Sequence, residues 1–408
     1  MIKNWFKNIG PGPLVAAAFI GPGTVTLCTI AGVSFGYALL WAMVLSIVAT
    51  IVLQEMSARL GIISQKGLSE IIRTEIKNPI FRNLAILLIL SAIVIGNAAY
   101  EAGNISGGVL GLETIVGNPI LDFGGLSINT LSVIIGVIAF ILLYIGNYKV
   151  LERALISLVI LMSLAFLITA IMTKPNLSEI FKGMFVPKFP QDSILTIIGL
   201  IGTTVVPYNL FLHAALVKEK WKGESDLKYA QKDTIIAVIL GGIVSMCIII
   251  SAAAIQTQEI NNAADLAKGL EPLFGSFAKY FLAIGLFAAG ITSAITAPLA
   301  AAYVATGCLG WNTNMRSKKF RSVWIFILVL GVLFSSLGIK SIEIIKFAQV
   351  ANGILLPVIA GFLLWIMNKK SLLGIHSNNL KQNIFGLVIL AITIFLGLKS
   401  ILKVFNLL

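Results

Sequence analysis

Two short stretches of this sequence break the backbone rules of the apolar segments that carry them. Gly21-Pro22-Gly23-Thr24 follows Ala17-Ala18-Phe19-Ile20, and a second run reads Gly202-Thr203-Thr204-Val205-Val206-Pro207-Tyr208-Asn209. Proline lacks an N–H and clashes with the carbonyl one turn back, so a helix should open at each site. An opened turn offers carbonyl oxygens from the half-helix before it, and N–H donors with partial positive charge from the half-helix after it. Gly21, Gly23, Thr24, Thr203, Val206, Tyr208 and Asn209 are therefore the candidate substrate-binding residues. None carries a charge. A divalent cation seeks charged oxygen ligands, or softer nitrogen and sulfur if it is a transition metal. The half-helix N-termini near Thr24 and Asn209, with no carboxylate at the break to cancel their field, suit a small oxyanion better, and Thr and Tyr hydroxyls can donate to its oxygens. Bicarbonate, small and planar, is the leading expectation. The alternative is a divalent cation, Mg²⁺ or Mn²⁺, with hydrated Mg²⁺ held through its own waters because magnesium dehydrates reluctantly.

Coupling chemistry has two candidate sets. Thr292 and Ser293 place two hydroxyls side by side, and with opened carbonyls from Ala17 to Gly21 they can form an oxygen cage for Na⁺. The competing interpretation of adjacent Thr and Ser on a membrane helix is that they bond to their own backbone. Glu101 and His213 are ionisable residues inside apolar runs and mark a proton route as the second candidate. No cofactor is expected beyond Na⁺ as a coupling ion.

The elements that must position these residues are membrane helices. Of 408 residues, 58% are hydrophobic and 12% charged, against about 25% charged in soluble domains. Apolar runs fall at roughly residues 12–32, 38–60, 84–112, 128–146, 154–173, 193–217, 233–256, 277–307, 322–338, 348–367 and 383–402. At about 20 residues per crossing these are eleven candidate transmembrane helices. No polar stretch is long enough for a separate soluble domain, so one membrane-embedded domain over 1–408 is expected, its first span retained rather than cleaved. Freed backbone groups cannot face lipid. Two matched breaks five spans apart predict an inverted repeat, about 12–173 and about 193–367 with an extra helix at 383–402, and a binding site at mid-membrane.

The formal net charge of +13 is a topology signal. Basic residues concentrate in alternate loops: Arg73, Lys77 and Arg82; Lys149 and Arg153; Lys218 to Lys232; Arg316 to Arg321; Lys369, Lys370 and Lys381. The positive-inside rule puts the N-terminus in the cytoplasm and the C-terminus outside a plasma membrane. The expected partners are a small inorganic ion and the lipid bilayer, with no nucleic acid and no obligate protein partner. Cys28, Cys247 and Cys308 all lie in apolar runs and suggest no disulfide framework. With only His213 and His376 the chain holds no His-Glu-x-x-His motif, and it holds no Gly-x-Ser-x-Gly elbow, so an enzyme is not expected.

On these residues the chain resembles the Nramp (natural resistance-associated macrophage protein) family of metal-ion transporters. Leu14 to Gly61, with Phe35-Gly36-Tyr37 and Ala58-Arg59-Leu60-Gly61, resembles the family's first two helices. Pro207-Tyr208-Asn209-Leu210-Phe211-Leu212-His213 resembles its sixth, and Leu151-Glu152-Arg153 and Leu270-Glu271-Pro272-Leu273 have similar counterparts. The resemblance implies an all-α integral membrane protein of the leucine-transporter type, a 5+5 inverted repeat with helices 1 and 6 broken, and secondary-active transport by alternating access. The family pattern Asp-Pro-Gly-Asn stands here as Gly21-Pro22-Gly23-Thr24, and Met-Pro-His as Val206-Pro207-Tyr208. The acidic pair of the third helix appears as Glu101 and Asn104. The resemblance thus implies a divergent member without the family's metal ligands, similar to an Nramp-related bicarbonate transporter.

Overall fold

The computed structural model describes residues 20–117, 119–123, 126–146, 149–255, 260–312 and 314–404. Twelve longer helices carry the fold: α1 (Pro22–Phe35), α2 (Leu40–Ser64), α3 (Pro79–Val116), α4 (Thr130–Ile145), α5 (Lys149–Met172), α6 (Ile194–Thr204), α7 (Pro207–Lys220), α8 (Leu227–Ala252), α9 (Ala278–Leu309), α10 (Lys318–Ser336), α11 (Ser341–Met367) and α12 (Leu380–Val404). Among the described residues, nine helical stretches are long and apolar enough to cross a membrane, with α6 and α7 together forming one of them; α1 and α4 are apolar but shorter. One feature departs from all-α: an antiparallel hairpin, β1 (Ile120–Phe123) and β2 (Leu126–Asn129), joins α3 to α4. It lies in the connection between spans, where the strand edges can meet water instead of hydrocarbon.

The break before Pro207 forms where the sequence places it, between two helices, and a helix begins at Pro22; the segment before Ile20, where the first half-helix was expected, lies outside the described residues. Before Pro207, Val205 (φ −93°, ψ 73°) and Val206 (φ −78°, ψ 120°) both leave helical geometry; for Val206 this is the extended conformation that a directly following proline favours. Gly21 (φ −91°, ψ 178°) is likewise extended before Pro22. Proline alone does not decide this, because Pro298 and Pro357 sit inside the uninterrupted α9 and α11. What sets Pro22 and Pro207 apart is that each becomes the first residue of a new helix, where its missing N–H costs nothing.

Small residues let the central helices close on one another, the usual means of packing in lipid. α3 runs through the middle. Its Gly107 leaves room only for the Pro22 ring of α1, and its Gly103 seats Ala348 of α11. Asn97 of α3 donates to the Ala297 carbonyl of α9 at 2.9 Å, beside Pro298. Asn129 caps α4 by accepting from the Leu131 and Ser132 amides, and Asn78 does the same for α3 with Ile80 and Phe81.

Candidate functional site

The starts of α1 and α7 meet the midpoints of α3 and α11. Gln349 of α11 joins the two breaks: a Cβ on Gly23 would collide with its side-chain amide, and a Cβ on Gly202 with its backbone carbonyl. From the opposite side, the Tyr100 ring of α3 meets the Tyr208 ring edge to face, with centroids 5.4 Å apart. Thr24, Thr203, Tyr208 and Asn209 are all buried. Sequence reasoning named the residues of the breaks and missed Gln349 and Tyr100. Gln349, with Asn352 one turn on, is an amide inside an apolar run, and that polarity was the available signal.

Polar atoms in this region lack protein partners. Both side-chain atoms of Asn209, the Tyr208 hydroxyl, Gln349 Oε1, Asn352 Nδ2 and the Thr26 hydroxyl are buried without a hydrogen bond among the described residues. Each such group costs about 1–3 kcal/mol, so a cluster of them marks a place where water or a ligand completes the bonding.

The hydroxyls next to the sixth-helix break are oriented by bonds already made. Thr203 Oγ1 donates to the Leu200 carbonyl at 2.7 Å, and Thr204 Oγ1 to the same carbonyl at 3.3 Å. The two hydroxyls also lie 3.4 Å apart, where either can donate; Thr203, with the shorter bond to the carbonyl, has lone pairs left to accept. The expected donors at the helix starts are also fewer than the sequence suggested. Pro22 and Pro207 occupy the first helical positions and have no N–H, and the Asn209 amide donates to the Val206 carbonyl at 3.0 Å.

The coupling candidates are not gathered at one point. The Glu101 stem packs against Gly331 of α10, and its Oε2 accepts from Asn104 Nδ2 at 3.5 Å while Oε1 has no partner. His213 lies away from the break, where Nδ1 pairs with Gln54 of α2 and Nε2 lies 3.5 Å from the Thr234 hydroxyl of α8. Thr292 donates to the Ala288 and Ala289 carbonyls of its own helix at 3.0 Å, the backbone bonding expected of a membrane-helix threonine. Ser293 is buried with its hydroxyl unpartnered. Ala17 lies outside the described residues, so the carbonyl side of the proposed Na⁺ cage is described only from Ile20 onward. No group of three or more His, Cys, Asp or Glu side chains gathers among the described residues.

Comparison with known proteins agrees with this geometry. The family description "Natural resistance-associated macrophage protein-like" matches residues 12–403. The divalent metal cation transporter MntH of Verminephrobacter eiseniae is 25% identical, over 90% of this chain and 83% of its own length. The crystal structure of the Eremococcus coleocola manganese transporter superposes with a TM-score of 0.78 at 21% identity, covering 98% of this chain and 87% of that one. Mhp1, a nucleobase-cation-symport-1 family transporter, superposes with a TM-score of 0.54 at 16% identity, covering 97% and 93%. The fold is that of leucine-transporter-type carriers, and the chain is a transporter and not an enzyme. The expectation of bicarbonate is overturned: relatives similar over most of the chain are named for divalent metal cations. Part of the physical reason is that the anion reading counted on backbone donors at the helix starts, where Pro22 and Pro207 have no N–H and the Asn209 amide donates to the Val206 carbonyl.

Proposed function

Because this chain belongs to the Nramp family of multi-pass membrane transporters, we propose that it carries a divalent metal cation across the plasma membrane by alternating access. The observation that carries this reading is the set of acceptors at the two breaks. Asn209 Oδ1 and Gln349 Oε1 are buried and unpartnered, and the Thr203 hydroxyl has given its proton to α6. These are hard, neutral oxygens. Since Gly21 to Thr24 and Gly202 to Asn209 include no carboxylate, thioether or imidazole, the ion keeps part of its hydration shell and is held partly through its waters, which suits Mg²⁺ and the harder transition ion Mn²⁺ over softer metals. Gln349 supports the exchange of access, since it touches both interrupted helices and feels the movement of either.

Coupling is assigned to protons through Glu101, a buried carboxyl with one free oxygen on the helix that also carries Tyr100. An ionisable side chain inside a membrane helix costs free energy and is kept where charge has to move. The N-terminus is placed in the cytoplasm and the C-terminus outside on the loop distribution of Lys and Arg, and the two five-helix halves are the bodies that rock against each other.

Proteoliposomes test the cargo directly. Saturable uptake of Mn²⁺ and of Mg²⁺, each displacing the other, is the expected result. Folded, reconstituted protein that moves neither ion would overturn the proposal.

A further inference from the structure

A second site lies on the membrane-facing side, where α4 and α10 run next to each other. An apolar cavity of about 410 Å³ opens along this face. Its floor forms where Gly136 of α4 admits the Val332 side chain of α10, a position at which any Cβ would collide. Val133, Val137, Val329 and Leu333 wall the groove and remain exposed. Ser336 is the polar exception in the lining, and its hydroxyl is already donated to the Val332 carbonyl at 2.6 Å. Such a slot inside a bilayer has nothing to offer a headgroup and everything to offer a hydrocarbon tail.

The groove leads into a different chemistry at one end. Phe140, in its lining, stacks on Tyr144 with centroids 6.0 Å apart. The Arg321 guanidinium lies 4.4 Å above that Tyr144 ring, and the Lys319 ammonium lies 5.1 Å from the Trp311 ring. Neither Arg321 nor Lys319 makes an ion pair among the described residues. The sequence reinforces this, because no acidic residue occurs between Glu271 and Glu343 while Arg316, Lys318, Lys319 and Arg321 fall within six positions. Aromatic rings at the interface and unneutralised basic side chains are what an anionic headgroup meets. Along α10 the lining runs from Leu328 to Ser336, about 10 to 23 Å from Arg321 at 1.5 Å per residue, so a chain anchored at Arg321 enters the near part of the groove within the roughly 15 Å of one leaflet's hydrocarbon.

We propose that the α4–α10 face binds one anionic phospholipid, its acyl chain in the groove floored by Gly136 and Val332 and its phosphate at Arg321, with the neighbouring Arg316, Lys318 and Lys319 adding to the attraction of an anionic headgroup. Because Gly331, next to Val332, packs on the Glu101 stem, the lipid lies against the outer side of α10, the helix that covers the buried carboxyl.

Native mass spectrometry of the full chain, titrated in detergent with dioleoyl-phosphatidylglycerol or dioleoyl-phosphatidylcholine, tests this without reference to cargo. The expected result is one tightly retained phosphatidylglycerol and no comparable phosphatidylcholine. Retention should fall about tenfold or more in the Arg321→Gln/Lys319→Gln double variant, and also in Val329→Trp, which fills the groove from its lipid-exposed side. The Lys220→Gln/Lys222→Gln variant, on a different basic loop, should retain the lipid as the parent does. Equal retention of both lipids, undiminished retention in Val329→Trp, or equal loss from the Lys220/Lys222 variant would overturn the proposal. A dimer in size exclusion that Val329→Trp splits would overturn it as well, by assigning the face to a second copy. Thermal melting by tryptophan fluorescence verifies that each variant is folded.

Discussion

Asn209 is buried with both amide atoms unpartnered, a condition that subtracts from stability unless the cargo or its water supplies the missing bonds. Replacing it with leucine separates the two roles. Asn209→Leu should raise the apparent KM for divalent cation uptake about tenfold, the loss of one ligand, while the melting temperature stays level or rises. A fall in melting temperature with unchanged uptake would assign Asn209 to packing instead. Gly21 is the complementary position: it is extended with negative φ, a conformation open to any residue, and it holds the position of the aspartate in the family pattern that the sequence resembles. Gly21→Asp should lower the KM for Mn²⁺ at least about tenfold, because an anionic oxygen replaces a hydration water among the ligands. Uptake assays across a Mn²⁺ series check this, and an unchanged KM would remove Gly21 from the site. The neutral character of these positions was legible in the sequence. The bonding of the Thr203 and Thr204 hydroxyls was not: both lie within reach of the Leu200 carbonyl, an acceptor one turn away whose availability depends on where α6 ends.

At the scale of elements, the breaks depend on proline at a helix start and on glycine where another helix comes close. Pro207→Ala should allow α6 and α7 to approach a continuous helix, and transport should fall by at least about tenfold. Pro298→Ala, inside the unbroken α9, should leave it within about twofold; the contrast follows from the cost of proline in a helix interior and its neutrality at the first position. Initial uptake rates of the two variants, normalised to reconstituted protein, read the difference. Gly202 is the other element-level requirement, since any Cβ there meets the Gln349 backbone carbonyl. Gly202→Ala should cost about 1–3 kcal/mol through overpacking and lower the melting temperature together with uptake. Unlike Asn209→Leu, it should move both quantities the same way. Break positions could be read along the chain because proline and glycine act on their immediate neighbours. Which helix fills the gap could not, because Gln349 lies more than a hundred residues from either break.

For the whole molecule, the proposal joins a central cation site to a proton route through Glu101, which is buried between α3 and α10. If protons drive uptake, the rate of the parent protein rises as the pH on the uptake side falls. Glu101→Gln should flatten that profile while substrate KM at the parent's optimum changes by less than about threefold. A Glu101→Gln protein that retains the full pH dependence would remove Glu101 from coupling; proteoliposome uptake across imposed pH gradients gives the answer. The sequence by itself determined that this is a membrane protein of many apolar spans, that a helix starts anew at Pro207 and another begins at Pro22, and that the residues at these starts carry no charge, because hydropathy and proline geometry are local properties of the chain. Only the tertiary structure decided that Gln349 and Tyr100 complete the site, that His213 and Thr292 are occupied elsewhere, and that α4 and α10 leave a groove between them. Those outcomes depend on which surfaces meet after the helices pack, and no spacing within one helix records the side chains that another helix brings to it.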